Sequence, residues 1–113
     1  MIKTNHLLIN TKGENEIVDI TRDIVSYVSR SKIRNGSVLV FVPGSTGALS
    51  TIEYEPGLIQ DLPKFMERII PERDYYYHNE TWGDGNGHSH LKATLVGPSL
   101  TIPIEEERLI LGT

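Results

Sequence analysis

No cysteine occurs among the 113 residues. That excludes a disulfide framework, a thiolate zinc site, an iron–sulfur cluster and a cysteine nucleophile. Aromatic side chains are scarce, 7% of the chain, and Trp82 is the single tryptophan. Positive charge is in the minority: eleven Lys and Arg stand against fifteen Asp and Glu, a formal net charge of −4. A binder of nucleic acid or of an anionic membrane needs the opposite field, so neither is expected as a partner. Long apolar runs are missing as well. The longest, Val38-Leu39-Val40-Phe41-Val42, has the length of a strand and falls far short of the roughly 20 residues that cross a bilayer. The opening Met1-Ile2-Lys3-Thr4-Asn5-His6 lacks the basic flank and apolar stretch of a signal peptide. The cytoplasm is the expected location.

What is present suits one domain over 1–113. Hydrophobic residues make up 38%, enough for a core at this length without covalent staples. Ile2, Leu7, Leu8 and Ile9 read as a first strand. Ile17, Ile20, Ile24, Val25 and Val28 then recur three or four apart, the spacing of one helix face. Asp19 or Thr21 can cap that helix. Ser37 to Val42 predicts a strand buried on both faces, and Ala48 to Tyr54 a returning strand. Leu58, Leu62, Phe65, Met66 and Ile69 predict a second helix, with Asp61 as its cap and Pro63 in its first turn. Tyr75-Tyr76-Tyr77 reads as a strand and Asn79 to Gly87 as a long polar loop. His88 to Val96 fits either helix or strand. Ser99–Ile104 and Arg108–Leu111 predict a closing hairpin, with Pro103 on an edge or at a bulge. The fold class is α+β: a compact, β-rich, sandwich-like domain with a mostly antiparallel sheet and two to three helices.

The residues suited to chemistry gather in two glycine-bearing loops and their flanks. His88 and His90 would point the same way on a strand and could share an ion there. On a helix they would diverge by about 200° and only one could face a given site. His78, Glu53 or Glu55 could add a third ligand to give a zinc-type site; surface or hydrogen-bonded histidines are the competing reading. Asp84-Gly85-Asn86-Gly87 and Pro43-Gly44-Ser45-Thr46-Gly47 are turns that could also offer backbone amides to an anion. The second has neither the lysine nor the following helix of a Walker loop. Lys92 could meet a phosphate or simply face water. Trp82 either pins its loop to the core or stacks on a flat ligand, and pinning is the commoner role.

Four stretches together resemble the YjbQ-like family, whose members are often labelled secondary thiamine-phosphate synthase. They are Phe41-Val42-Pro43-Gly44-Ser45-Thr46-Gly47-Ala48, Thr51-Ile52-Glu53-Tyr54-Glu55-Pro56, Asn86-Gly87-His88-Ser89-His90-Leu91-Lys92-Ala93 and Gly97-Pro98-Ser99-Leu100-Thr101-Ile102-Pro103-Ile104. The closing Arg108-Leu109-Ile110-Leu111-Gly112-Thr113 is also similar to that family. The resemblance implies a homotrimer with a histidine-lined site. It carries the family's polar residues onto His78, Asn86 and His90, with Glu53 near the acidic position and Asp84 and His88 in the same loop. His78, His90 and Glu53 are then the expected catalytic residues, and Ser45, Thr46, Asp84, Asn86 and Lys92 the expected contacts to a small phosphorylated ligand. His78, His88 and His90 are the expected ligands of a divalent metal, zinc or magnesium.

The chain departs from its apparent relatives in three places. Gly44-Ser45-Thr46 stands where many bacterial members have His-Thr-Thr, Glu107 stands where glycine precedes the arginine–leucine pair, and relatives run on past Gly112-Thr113. The domain is therefore expected to be a shortened one. Two functions remain open: an enzyme of the thiamine-phosphate synthase type, and a non-catalytic trimeric binding protein for a metal or small phosphorylated ligand.

Overall fold

The structure, a computed structural model, describes residues 1–13 and 15–112. Thr113, the last residue of the family-like closing stretch, lies outside them. The element order is α1 (Thr21–Ser31), β1 (Gly36–Phe41), α2 (Pro56–Ile69), α3 (Tyr77–Trp82), α4 (Gly87–Val96), β2 (Ser99–Glu105) and β3 (Arg108–Leu109). The strands form one antiparallel sheet in the order β1-β2-β3, so the class is α+β. Four helices stand where two to three are expected from the spacing. By its internal contacts the chain divides into two units. One holds Met1–Lys12, Val18–Val40 and the chain from Thr101; the other holds Gly13–Ile17 and Phe41–Leu100.

In the first unit, α1 begins where the sequence indicates. The Asp19 carboxylate accepts from the Thr21 amide at 3.0 Å and from the Thr21 hydroxyl at 2.6 Å. These two bonds hold the Asp19 carboxyl below its usual range. Ile20 is the N-cap and has no side-chain bond of its own, so the Asp19 carboxylate, one residue before it, satisfies the first free amide. A depressed carboxyl pKa contributes stability above the unfolded value and loses it as pH falls through the folded one. Asp19→Ala is therefore expected to lower Tm at pH 7, and the difference from the parent should shrink in melts run at progressively more acid pH. The helix ends at Lys32, which turns left-handed at φ 62°.

Strand β2 shows why alternation matters. Ile102 and Ile104 are buried with Val28 of α1, while Thr101, Pro103 and Glu105 face outward. Period-two spacing thus delivers two isoleucines to one side. The outward Pro103 has no amide to give, but its carbonyl accepts from Ile110 N at 3.0 Å. The hairpin places Ile104 opposite Leu109 and Glu105 opposite Arg108.

Its turn is Glu106-Glu107, and both residues have positive φ, 49° and 64°. Two-residue hairpins favour that geometry because it matches strand twist, and asparagine or glycine adopts it at least cost. Here glutamates are held there by outside partners. Glu106 N donates to Asn35 Oδ1 at 3.2 Å and Glu107 N to Arg34 O at 2.9 Å. Glu107→Gly is expected to relieve left-handed strain of about 1–2 kcal/mol against glycine's added chain entropy of about 0.5–1 kcal/mol. The net should appear as a slightly higher urea midpoint.

Several expectations change. Residues 2–9 form no strand, and Leu8 is 88% exposed; an apolar run becomes a strand only with a partner edge, and none of the described residues supplies it. Strand β1 starts and ends one residue earlier than expected. It is covered on one side only, with Leu39 and Phe41 exposed.

In the second unit, residues 48–54 form no ladder. Instead Val42 N donates to Pro98 O and Leu49 N to Gly97 O, both at 2.9 Å, so this strip of backbone closes the loop from Pro43 to Ala48. Helix α2 starts at Pro56, ahead of Asp61, because the Glu55 carboxylate accepts from Gly57 N at 2.9 Å and from Leu58 N. Pro63 consequently lies inside the helix, where it has no amide for Ile59 O. Tyr76 keeps an extended backbone but leads into α3; locally strand-like residues without a partner edge form no strand. The expected long loop shrinks to Gly83–Asn86, since α3 takes up Asn79–Trp82.

Candidate functional site

The second unit brings three of the expected polar residues to His78. Helix α3 carries His78, and the turn after it carries Asp84 and Asn86. Gly83 makes that turn accessible: its φ of 68° ends α3 and sends the chain back. Gly87 N then donates to Asn79 Oδ1 at 2.8 Å, which fixes the start of α4 against α3. The fit is tight, because a Cβ on Gly87 would lie 2.8 Å from Asn79 Oδ1 and from Tyr76 Cβ.

The Asn86 amide lies between its two neighbours. With its nitrogen turned toward them it donates to His78 Nε2 at 3.1 Å and to the Asp84 carboxylate at 2.9 and 3.2 Å. The alternative orientation sets two acceptors, the amide and carboxylate oxygens, against each other. His78 Nε2 therefore accepts, and the neutral ring carries its proton on Nδ1. Asp84 Oδ1 is 3.5 Å from the same nitrogen.

Helix α4 brings the second imidazole. The His78 and His90 rings have centroids 4.3 Å apart at an interplanar angle of 54°. His88 does not join them. The segment is a helix, so the two side chains diverge, and the His88 ring lies 6.4 Å from that of Tyr76. His88 is 3% exposed, which gives it a position in the interior of this unit. Burial, followed by the charges of Asp74 and Glu67, raises the Tyr76 phenol above its ordinary range. Neutral, it donates to the Pro71 carbonyl.

The other expected site residues lie elsewhere. Lys92 is buried on α4 and its Nζ donates to Asn15 Oδ1 at 3.1 Å. Ser45 and Thr46 are exposed on the loop closed by Gly97 and Pro98. Glu53 is exposed; its backbone carbonyl accepts from Glu55 N at 2.9 Å. Glu55, the alternative acid, is spent on capping α2. Among the described residues no three or more His, Asp or Glu side chains gather as a metal-holding group. The His78 and His90 rings meet tilted rather than stacked face to face.

Trp82 does not pin its loop to a core, because it is 72% exposed. Sequence reasoning also passed over Asn79 and Asn15. Asn79 sits in a run read as loop, so its capping of the α4 start is visible only once α3 is known to be a helix. Asn15 holds a left-handed φ of 56°, a conformation asparagine tolerates, but nothing in spacing points it to Lys92.

A helical pair of histidines, a short acidic–amide turn and an α+β frame define a small domain with a ring-paired polar site. The family model for the UPF0047 protein YjbQ-like family matches residues 5–113. The chain belongs to that family. A UPF0047 protein of Archaeoglobus fulgidus is 41% identical over 95% of this chain and 81% of its own length. A UPF0047 protein of Methanocaldococcus jannaschii is 36% identical over 93% of this chain and 74% of its own. Among solved structures, a YbjQ-like protein of unknown function from Sulfolobus solfataricus superposes with a TM-score of 0.82 at 37% identity, covering 87% of this chain and 70% of that one. An uncharacterised YjbQ/UPF0047 protein from Clostridium acetobutylicum gives 0.76 at 33% identity, covering 85% and 72%. Among the described residues no helix is long and apolar enough to cross a membrane.

Proposed function

We propose that the chain is a cytoplasmic, homotrimeric transferase of the thiamine-phosphate synthase type, with His78 and His90 as its acid–base pair. The observation that carries this reading is the 4.3 Å apposition of the two rings, with His78 oriented by Asn86 and Asp84. In the reaction a thiazole-phosphate ring nitrogen forms a bond to the methylene carbon of a pyrimidine pyrophosphate. The carbon–oxygen bond breaks, and pyrophosphate leaves with the electron pair. An imidazolium beside the leaving oxygen neutralises its charge and supplies a proton to it. Asn86, braced by the Asp84 carboxylate, holds the His78 ring in place. The exposed Ser45 and Thr46 would offer their hydroxyls to the phosphate, while Lys92 Nζ donates to Asn15 Oδ1. Among the described residues no three or more His, Asp or Glu side chains gather as a metal-holding group, and the step is written without one.

Purified protein of confirmed oligomeric state, given both precursors, is expected to form thiamine phosphate. No product under those conditions overturns the enzyme reading. A non-catalytic trimeric binding protein is the second reading. It is favoured by the exposed Glu53, whose side chain makes no hydrogen bond or ion pair with either imidazole among the described residues. Saturable ligand binding that is lost in His90→Ala, with no chemistry in the parent, selects it.

A further inference from the structure

We propose that Trp82 is the stacking platform for the flat nitrogen heterocycle of the ligand; this rests on the acid–base reading and adds to it the residue that recognises the ring. Three observations point to it. Trp82 stands four positions after His78 on α3, and residues so spaced lie on one helix face with Cβ atoms about 5–6 Å apart. The indole is 72% exposed, and among the described residues no hydrogen bond or ring contact engages it. The turn that follows it is uncrowded: an added Cβ on Gly83 or on Gly85 meets nothing within 4 Å.

A tryptophan left in water at the end of a polar turn forgoes the large burial its side chain offers. Core packing does not explain it here. Its indole face can take a planar ring, and this contact is tolerant of ring identity because every heteroaromatic has a π-face. The Asp84 carboxylate, two residues on and 46% exposed, favours a ring bearing N–H donors over an anionic one. The ring would then lie at Trp82 and the reacting phosphate end toward His78 and His90, one helical turn away.

Trp82 is the sole tryptophan beside five tyrosines, so emission excited on the red side of tyrosine absorption reports on this residue alone. Titration with a pyrimidine pyrophosphate is expected to quench the emission saturably, whereas inorganic pyrophosphate should bind without quenching. Trp82→Ala should weaken the pyrimidine compound about tenfold and leave pyrophosphate affinity within about twofold, with Trp82→Phe recovering most of the loss. The exposed position makes misfolding of either variant unexpected, which circular dichroism checks. Equal weakening of both ligands, unchanged affinity for the pyrimidine compound, or quenching by pyrophosphate alone each overturns the assignment. If His90→Ala abolishes turnover while Trp82→Ala leaves the pyrimidine affinity intact, the platform falls and the acid–base reading stands. If the parent protein binds neither compound, both fall.

Discussion

His90→Ala is expected to reduce turnover by about two to four orders of magnitude, the usual contribution of a positioned acid or base, while leaving the melting curve close to that of the parent. The expectation follows from how the ring is held. His90 lies on α4 with its carbonyl accepting from the Thr94 hydroxyl at 2.9 Å, and its ring meets His78 without being enclosed. Removing it takes away a ring contact and leaves the helix backbone intact. His88→Ala should behave the other way round. Its ring is 3% exposed, so truncation opens a cavity and lowers stability, while any residual folded fraction should turn over normally. Activity per folded molecule separates the two. If both variants lose activity in proportion to stability, His90 has no special part in the reaction.

Gly87→Ala is expected to be the most damaging small substitution in the second unit. The new methyl would come within 2.8 Å of Asn79 Oδ1 and Tyr76 Cβ and 3.2 Å of Tyr76 Cγ. Two of these atoms lie at the base of a tyrosine side chain, next to backbone, and cannot swing aside. Overpacking of this sort costs about 1–3 kcal/mol, which corresponds to a Tm lower by roughly 5 °C or more. The site should suffer as well. The only route to relief is to move the start of α4 away from α3, which lengthens the Gly87 N to Asn79 Oδ1 bond and shifts His90 relative to His78. Asn79→Ala separates the causes: it removes the bond without adding bulk, so a milder stability loss with a similar loss of activity is expected. A Gly87→Ala protein with unchanged Tm would refute the close approach.

The parts of the fold legible in the sequence are those whose signal is local. The Asp19 cap and the three-to-four spacing from Ile20 to Val28 indicate α1, and α1 begins at Thr21. Alternation from Ser99 to Ile104 and the apolar run from Arg108 to Leu111 indicate the hairpin; β2 runs one residue further, to Glu105, and β3 stops at Leu109. Most of the differences are of one kind. Residues 2–9, 48–54 and 75–77 are rich enough in apolar and β-branched or aromatic side chains for strands, but strand formation needs a partner edge, which composition does not report. Pro63 misled in another way. It weighed against a helix start before Asp61, yet two backbone amides held by Glu55 suffice to begin α2 upstream and carry the helix through the proline.

At the site, the residue types and their neighbourhood were readable and their arrangement was not. Sequence alone determined that His78, Asp84, Asn86 and His90 lie within a short span bearing three glycines, and the likeness to YjbQ-like proteins that these stretches carry. It also left His88 and His90 undecided, because a period of two and a period of 3.6 give opposite answers for residues two apart. Tertiary structure decided that point. Packing of α4 on α3 through Gly87 and Asn79 makes the segment a helix, and a helix sends one imidazole inward and the other across to His78. The physical reason is that a backbone's choice between helix and strand in a short ambiguous segment is made by the surfaces it can bury and the amides it can satisfy, and those belong to neighbours elsewhere in the chain.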